Sequence, residues 1–202
     1  TFKLVGKNCI SVPYKEIERR PTRDILHVTG QVASGDTLDV FVCHMPSRAG
    51  GEEKSEPYRL FTAQILKIAA ASVMNPNVMI MGDFNDYPTN NSIAKVLGAV
   101  APKSGVQAKK LYNLMDGRKE GTYRYRGEWG ILDQLIVSGF LLQGHDSMRT
   151  SYDKAQILKY PFLLEEDEKY GGNIPSRTYW GKKYHGGYSD HLPVCVDFEI
   201  GK

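Results

Sequence analysis

The chain has 202 residues, 41% hydrophobic and 24% charged, so it can bury a sizeable core and lies far from the composition of disordered chains. Its net charge of +3, from 26 basic and 23 acidic residues, excludes a strongly basic balance that would by itself demand a nucleic-acid partner, but it permits local cationic clusters that meet phosphate. No stretch approaches the ~20 apolar residues of a membrane span, and no repeat or linker divides the sequence, so one domain over 1–202 is expected.

In chain order, Thr1-Phe2-Lys3 carries neither an initiator methionine nor a signal peptide, so a processing or expression boundary is expected there and both cytoplasmic and secreted compartments stay open. Ile25 to Val32 and Leu38 to Cys43 read as strands joined by a turn at Ser34-Gly35-Asp36, and His44 follows the second one. Pro57 to Met74 places Phe61, Ile65, Ile68 and Val73 near one helical face, with Pro57 in the first turn and Asn75-Pro76 ending the pattern. Val78-Met79-Ile80-Met81 is continuously apolar, as in a short strand covered on both faces, and runs directly into Gly82-Asp83-Phe84-Asn85-Asp86. Ser92 to Val100 reads as a short helix, and Ile131 to Ser138 as a strand broken by Asp133 and Gln134. Tyr152 to Tyr188, rich in Gly, Lys and Tyr, reads as a long functional loop, and His191 to Ile200 alternates as a strand with one face on the core. The cysteines Cys9, Cys43 and Cys195 are widely spaced in apolar stretches and odd in number, so they are expected as buried thiols rather than disulfide or zinc ligands.

Four places carry chemistry. Asp83 and Asn85 leave a buried strand two residues apart after Gly82, a pattern that suits a phosphate and its attacking water and equally suits an Asx-type turn. Ser189-Asp190-His191 presents a hard oxygen ligand beside a proton carrier, or an ordinary polar turn. Asp133 sits in an apolar strand, where a carboxylate is costly unless donors or a cation satisfy it, and orienting a histidine would do so. His44 supplies a second imidazole, and Arg48 a planar fork suited to phosphate oxygens.

The order His44, Gly82-Asp83-Phe84-Asn85, Leu132-Asp133, Ser189-Asp190-His191 resembles the endonuclease/exonuclease/phosphatase superfamily, from about Ile25 to Ile200. The forms His44-Met45-Pro46-Ser47-Arg48 and Gly127-Glu128-Trp129-Gly130-Ile131-Leu132-Asp133-Gln134 look most like a bacterial branch. The resemblance implies an α+β, DNase I-like four-layer β-sandwich with flanking helices, and phosphoester hydrolysis by water without a covalent intermediate. By that resemblance Asp83 orients and deprotonates the water, Asn85 holds the phosphate or that water, His191 contacts the phosphoryl oxygen, Asp133 fixes the tautomer of His191, His44 assists the leaving group and Asp190 is a metal ligand. Oxygen-rich ligands favour Mg²⁺ or Mn²⁺ over zinc.

The superfamily carries an early asparagine and a later glutamate that help hold the metal. Neither motif precedes His44: Asn8 lacks that context, and Glu16 and Glu18 lie in a polar segment. The chain is therefore expected to be the C-terminal portion of such a domain, with roughly a hundred residues upstream, impaired in metal binding and prone to self-association through uncovered surfaces. Arg177, Tyr179, Trp180, Lys182, Lys183 and Tyr184 before Ser189, and Tyr123, Arg124, Tyr125, Arg126 and Trp129 before Asp133, mix cations with stacking surfaces. They suit nucleic acid, an inositol phosphate or a phospholipid headgroup, with Arg48 and Trp129 as substrate contacts. The rival expectation is a non-catalytic binding module that keeps the sandwich.

Overall fold

The computed structural model describes residues 2–14, 23–103, 105–145 and 147–201. Glu16 and Glu18, like Thr1, lie outside the described residues. The chain opens with β1 (Lys3–Ile10), antiparallel to β2 (Ile25–Gln31), which pairs antiparallel with β3 (Thr37–His44). After α1 (Glu52–Ser72), β4 (Val78–Asp83) returns parallel to β3. A π-helical turn at Ser92–Leu97 leads to β5 (Leu111–Asn113), the hairpin of β6 (Tyr123–Tyr125) and β7 (Glu128–Gly130), then β8 (Asp133–Ser138) and α2 (Gly139–Gln143). The main sheet has six strands in the order β1-β2-β3-β4-β8-β5.

The remainder is short strands: β9 (Met148–Arg149), β10 (Ala155–Ile157), β11 (Leu164–Glu166), β12 (Asn173–Pro175), β13 (Tyr179–Trp180), β14 (Lys183–Tyr184), β15 (Val194–Val196) and β16 (Glu199–Ile200). They pair antiparallel as β10 with β15, β11 with β12, β13 with β14 and β9 with β16. The segment expected as one long loop is thus organised into hairpins too short to leave a periodic signal. The expected single C-terminal strand is broken at Asp197-Phe198, because Asp197 is held across the gap by Lys154 and Thr150 as the chain changes partner from β10 to β9.

Alternation along β4 joins two cores. Val78 and Ile80 pack with Phe41, Cys43, Leu66 and Phe84 beneath α1, while Met79 packs on the other face with Leu135, Val137, Leu141, Met148 and Ala155. Each such fully buried apolar side chain contributes about 1.5–3 kcal/mol. The result is a mixed α+β arrangement: helix α1, the main sheet, and a second layer of strand pairs.

Three further expectations are corrected. Lys3–Ile10, read without a strand, forms β1, and Cys9 on it is exposed rather than buried. Helix α1 begins at Glu52, with Pro57 inside it and the acidic Glu52 and Glu53 in its first turn, where the helix dipole favours them. Its buried residues are Ser55, Arg59, Thr62, Ala63 and Leu66, and Ile68 is 60% exposed. The apolar spacing misled because the buried face is partly polar: Arg59 is buried to reach Asp86, 2.8 Å away, on the loop after β4. Among the described residues no helix is long and apolar enough to cross a membrane.

Candidate active site

Strand register builds the site. The β3–β4 ladder sets His44 beside Asp83, and the β4–β8 ladder sets Asp83 beside Asp133. Residues directly opposite on neighbouring strands share a face, so three residues from distant parts of the sequence stand in one row at the end of the sheet. A fourth joins from the C-terminal segment: His191 bridges to Tyr123, and the Leu192 amide donates to the Thr122 carbonyl at 2.7 Å. The buried Thr122 hydroxyl in turn accepts from the amides of Leu132 (3.1 Å) and Asp133 (3.3 Å), so one residue ties the segments carrying Asp133 and His191 together. Thr122 was invisible in the sequence, since nothing separates a threonine that staples two loops from any other.

The side chains form a chain of contacts. His191 Nδ1 lies 2.7 Å from Asp133 Oδ2, and its Nε2 points to Asp83 Oδ2 at 3.8 Å. The same Asp83 oxygen is 3.4 Å from His44 Nε2. The Tyr123 ring packs against the His191 imidazole with 4.8 Å between centroids, a supporting rather than a solvent-facing position. Asp83 also closes an Asx turn, accepting from the Asn85 amide at 2.8 Å, and the Asn85 side chain donates to Met45 carbonyl (3.0 Å) and Asp83 Oδ2 (3.2 Å). The turn and the Asp83 carboxylate are therefore one feature. Asn85 has φ 49°, a left-handed conformation that asparagine tolerates, and Gly82 has φ 132° at a place where an added Cβ would meet the Cys43 carbonyl.

The electrostatics follow from burial and neighbours. Burial pushes the Asp83 carboxyl above the ordinary range, against the pull of His191, the Asn85 amide and His44. Burial would lower His191, but the hydrogen bond and charge of Asp133, with the charges of Asp83 and Asp190, outweigh it and raise the imidazole above its usual value. Burial lowers His44, with Arg23 and His191 adding to the effect and Asp83 opposing it. A carboxylate poised to take a proton thus faces an imidazole poised to hold one.

Other predicted residues sit apart from this row. Arg48 directs its guanidinium inward, donating to Asn85 carbonyl (2.7 Å), Asp86 (3.1 Å) and Asn90 (2.8 Å) and pairing with Glu52 at 3.0 Å. It braces the Asp83–Asn85 turn, and Asp86 is shared with the buried Arg59. Arg124, read as part of a cationic rim, is buried and held by Asp167 and the carbonyls of Gly127, Gly171 and Asn173. Trp129 lies on β7 under the Lys159 ammonium at 4.9 Å. Asp190 is 53% exposed and faces Arg177 at 3.9 Å.

Asp83, Asp133 and His191 offer ligand atoms within 4.8 Å of one another, close enough to share a cation. Among the described residues this trio alone does not make the near-octahedral oxygen site that Mg²⁺ demands. One of the three is an imidazole already fixed by Asp133, and Asp190 is outside the group. The trio fits a proton relay.

Comparison with known proteins agrees with this architecture. A profile described as "Endonuclease/Exonuclease/phosphatase family" matches residues 1–200. Among solved structures, an endonuclease/exonuclease/phosphatase family protein of Bacteroides thetaiotaomicron superposes with a TM-score of 0.57 at 15% identity, covering 100% of this chain and 66% of that one. The mannosyl-6-phosphatase of the same organism gives 0.56 at 17% identity, over 98% of this chain and 67% of that one. The human Nocturnin catalytic domain, solved with a sulfate anion, gives 0.54 at 19%, over 98% and 60%. The chain thus spans about two thirds of the length of these structures, and at such identities the likeness establishes the DNase I-like fold. No curated protein matches the sequence.

Proposed function

The chain belongs to the endonuclease/exonuclease/phosphatase family, and from that premise we propose that it hydrolyses a phosphoester by in-line attack of water at the row of His44, Asp83, Asp133 and His191. The observation that carries this reading is the Asp133–His191–Asp83 chain, with 2.7 Å on one side of the imidazole and 3.8 Å on the other. Asp83, its carboxyl raised by burial, takes the proton of the attacking water. Asn85 holds Asp83 in place. His191, kept protonated at Nδ1 by Asp133, presents its Nε2 proton to a phosphoryl oxygen and offsets the charge that develops there. His44, neutral at pH 7 because burial lowers it, donates a hydrogen bond toward the leaving oxygen. Phosphoryl transfer depends chiefly on positioning and electrostatics, which this arrangement can supply.

Divalent-metal dependence is part of the proposal because the family resemblance implies it; among the described residues those gathered here contribute a base, an imidazole and its orienting carboxylate. The second reading is a phosphoester-binding module without turnover. Hydrolysis of a generic phosphodiester, DNA and inositol phosphates, with Mg²⁺ and with EDTA, separates the two. Turnover that disappears in Asp83→Asn and His191→Ala supports catalysis. Turnover that survives both substitutions removes the assigned roles, and substrate binding without turnover selects the module.

A further inference from the structure

The hairpin β13–β14 leads directly into the segment that carries His191. Its two limbs are zipped at the root: His185 amide to Thr178 carbonyl at 2.8 Å, Gly187 amide to Arg177 carbonyl at 3.2 Å, and Tyr188 amide to Ser176 carbonyl at 2.6 Å. Glu165 clasps both limbs, accepting from the Ser176 hydroxyl at 2.9 Å and pairing with His185 Nε2 at 2.8 Å. Arg177 is thereby fixed beside Ser189-Asp190-His191.

The environment of Arg177 is unlike that of the other enclosed arginines. Arg48, Arg118 and Arg124 each place their guanidinium on two or more protein acceptors. Arg177 is 17% exposed, yet its side chain makes no hydrogen bond among the described residues, and its Nε is buried without a partner. Its only charged neighbour at ion-pair range among them is Asp190, at 3.9 Å, beyond hydrogen-bond distance. The guanidinium lies 4.3 Å from the centroid of the Trp180 ring, which holds its plane. Covering the Nε–H donor without an acceptor is unfavourable, and the planar fork of the guanidinium matches two oxygens of a phosphoryl group.

We propose that Arg177 anchors the phosphoryl group at this site, donating to a non-bridging oxygen, with Trp180 as the residue that positions the guanidinium. The inference rests on the phosphoester reading above and adds to it an anion-binding residue on the hairpin side. The ligand class is a tetrahedral oxyanion carrying at least one negative charge, and the loose contact with Asp190 gives way to the tighter contact with that oxyanion. Trp180 lies on the exposed hairpin, so the same element that holds the cation borders whatever group the phosphate carries.

The test is titration of the protein with inorganic phosphate, by calorimetry and by ¹⁵N NMR of the Arg177 Nε–H, in wild type, Arg177→Lys, Arg177→Met and Trp180→Leu. Loss of one charge-assisted contact weakens phosphate binding about tenfold in Arg177→Met, with Arg177→Lys and Trp180→Leu intermediate, and KM for a phosphodiester rises in the same order by more than kcat falls. Wild-type phosphate affinity in Arg177→Met overturns the proposal, as does a wild-type Arg177 Nε–H that ignores phosphate. If thermal melting shows that Arg177→Met does not fold, Trp180→Leu decides, since it keeps the charge: unchanged phosphate affinity there and an unresponsive Nε–H overturn the proposal. The readout is binding, so it fails independently of the reaction centre: hydrolysis surviving Asp83→Asn and His191→Ala would leave the Arg177 result untouched.

Discussion

His191 and Asp133, 58 positions apart in sequence, meet through a 2.7 Å contact between Nδ1 and a carboxylate oxygen. The contact fixes which nitrogen of His191 carries the inward proton and leaves Nε2 toward Asp83. Asp133→Asn removes the main influence that raises this imidazole while burial continues to lower it. The His191 pKa, read from its ring resonances by NMR, is then expected to fall from its raised value toward the ordinary one, about 6.5, with Asp83 and Asp190 still favouring the charged form. The linkage has a definite sign. Because the folded pKa is raised, the contribution of this pair to stability is full below the unfolded pKa and fades as pH rises through the folded one, and Asp133→Asn reduces that dependence. An unchanged His191 titration would disprove the orienting role.

Under the proposed mechanism the two raised groups also shape the pH dependence of hydrolysis. Asp83 must be ionised to accept a proton, and burial raises it, so kcat/KM is expected to fall on the acid side above the ordinary aspartate value of about 3.9. His191 must be protonated, so the alkaline limb lies above the ordinary histidine value. A profile whose acid limb sits at or below the usual aspartate range contradicts the assignment of Asp83 as base.

Gly82 is required by geometry. An added Cβ would sit 1.9 Å from the Cys43 carbonyl oxygen, at a φ of 132° that side chains rarely adopt. Gly82→Ala is expected to cost on the order of 4 kcal/mol, lowering Tm by roughly 10 °C. Calorimetric melting checks this, and a loss below about 1 kcal/mol would show that β3 and β4 can separate at that point.

Asp86 carries Arg59 at 2.8 Å and Arg48 at 3.1 Å and accepts from the Ser92 hydroxyl at 2.6 Å. Removing it strands a buried guanidinium, so Asp86→Ala is expected to destabilise by about 3–5 kcal/mol. Pairing it with Arg59→Met should recover part of that loss in urea unfolding. Strict additivity of the two changes would mean that the ion pair is not what holds the helix to the loop.

How much of this was legible depended on whether a residue's meaning lay in its neighbours along the chain. His44, Asp83 and Asp133 each adjoin or interrupt an apolar run, so their places at strand ends or within a strand could be read, and register then set them side by side. The buried face of α1 could not, because Arg59 is inside only by virtue of Asp86, on a loop the helix does not adjoin in sequence. Arg48 shows a related effect: a fork that suits phosphate also suits the chain's own carbonyls and carboxylates, and the structure places it on those. Strand β1 mixes lysines and glycine with its apolar residues, and the hairpins between Tyr152 and Tyr188 have only two or three residues per strand, so pairing rather than propensity creates them.

Strand β1 borders the sheet and exposes Leu4 and Val5 beside Phe2. Among the described residues no strand pairs with that outer edge, and an apolar edge is a template for another strand, so concentration-dependent self-association is expected in sedimentation experiments, weakened by Leu4→Lys. A strictly monomeric species at high concentration would count against it.

The row of His44, Asp83 and Asp133, closed by His191, has a kinetic consequence. Each member comes from a different strand or segment, so the chain must close a long loop before any two of them meet and several before the row is complete, and such non-local pairing is slow. Helix α1 has mostly local contacts and can form early, whereas the row exists only once β8 has docked and the Thr122 hydroxyl has captured its amides. During refolding, helical signal should therefore recover first and reactivity last, which makes the assembled row a reporter of completed folding.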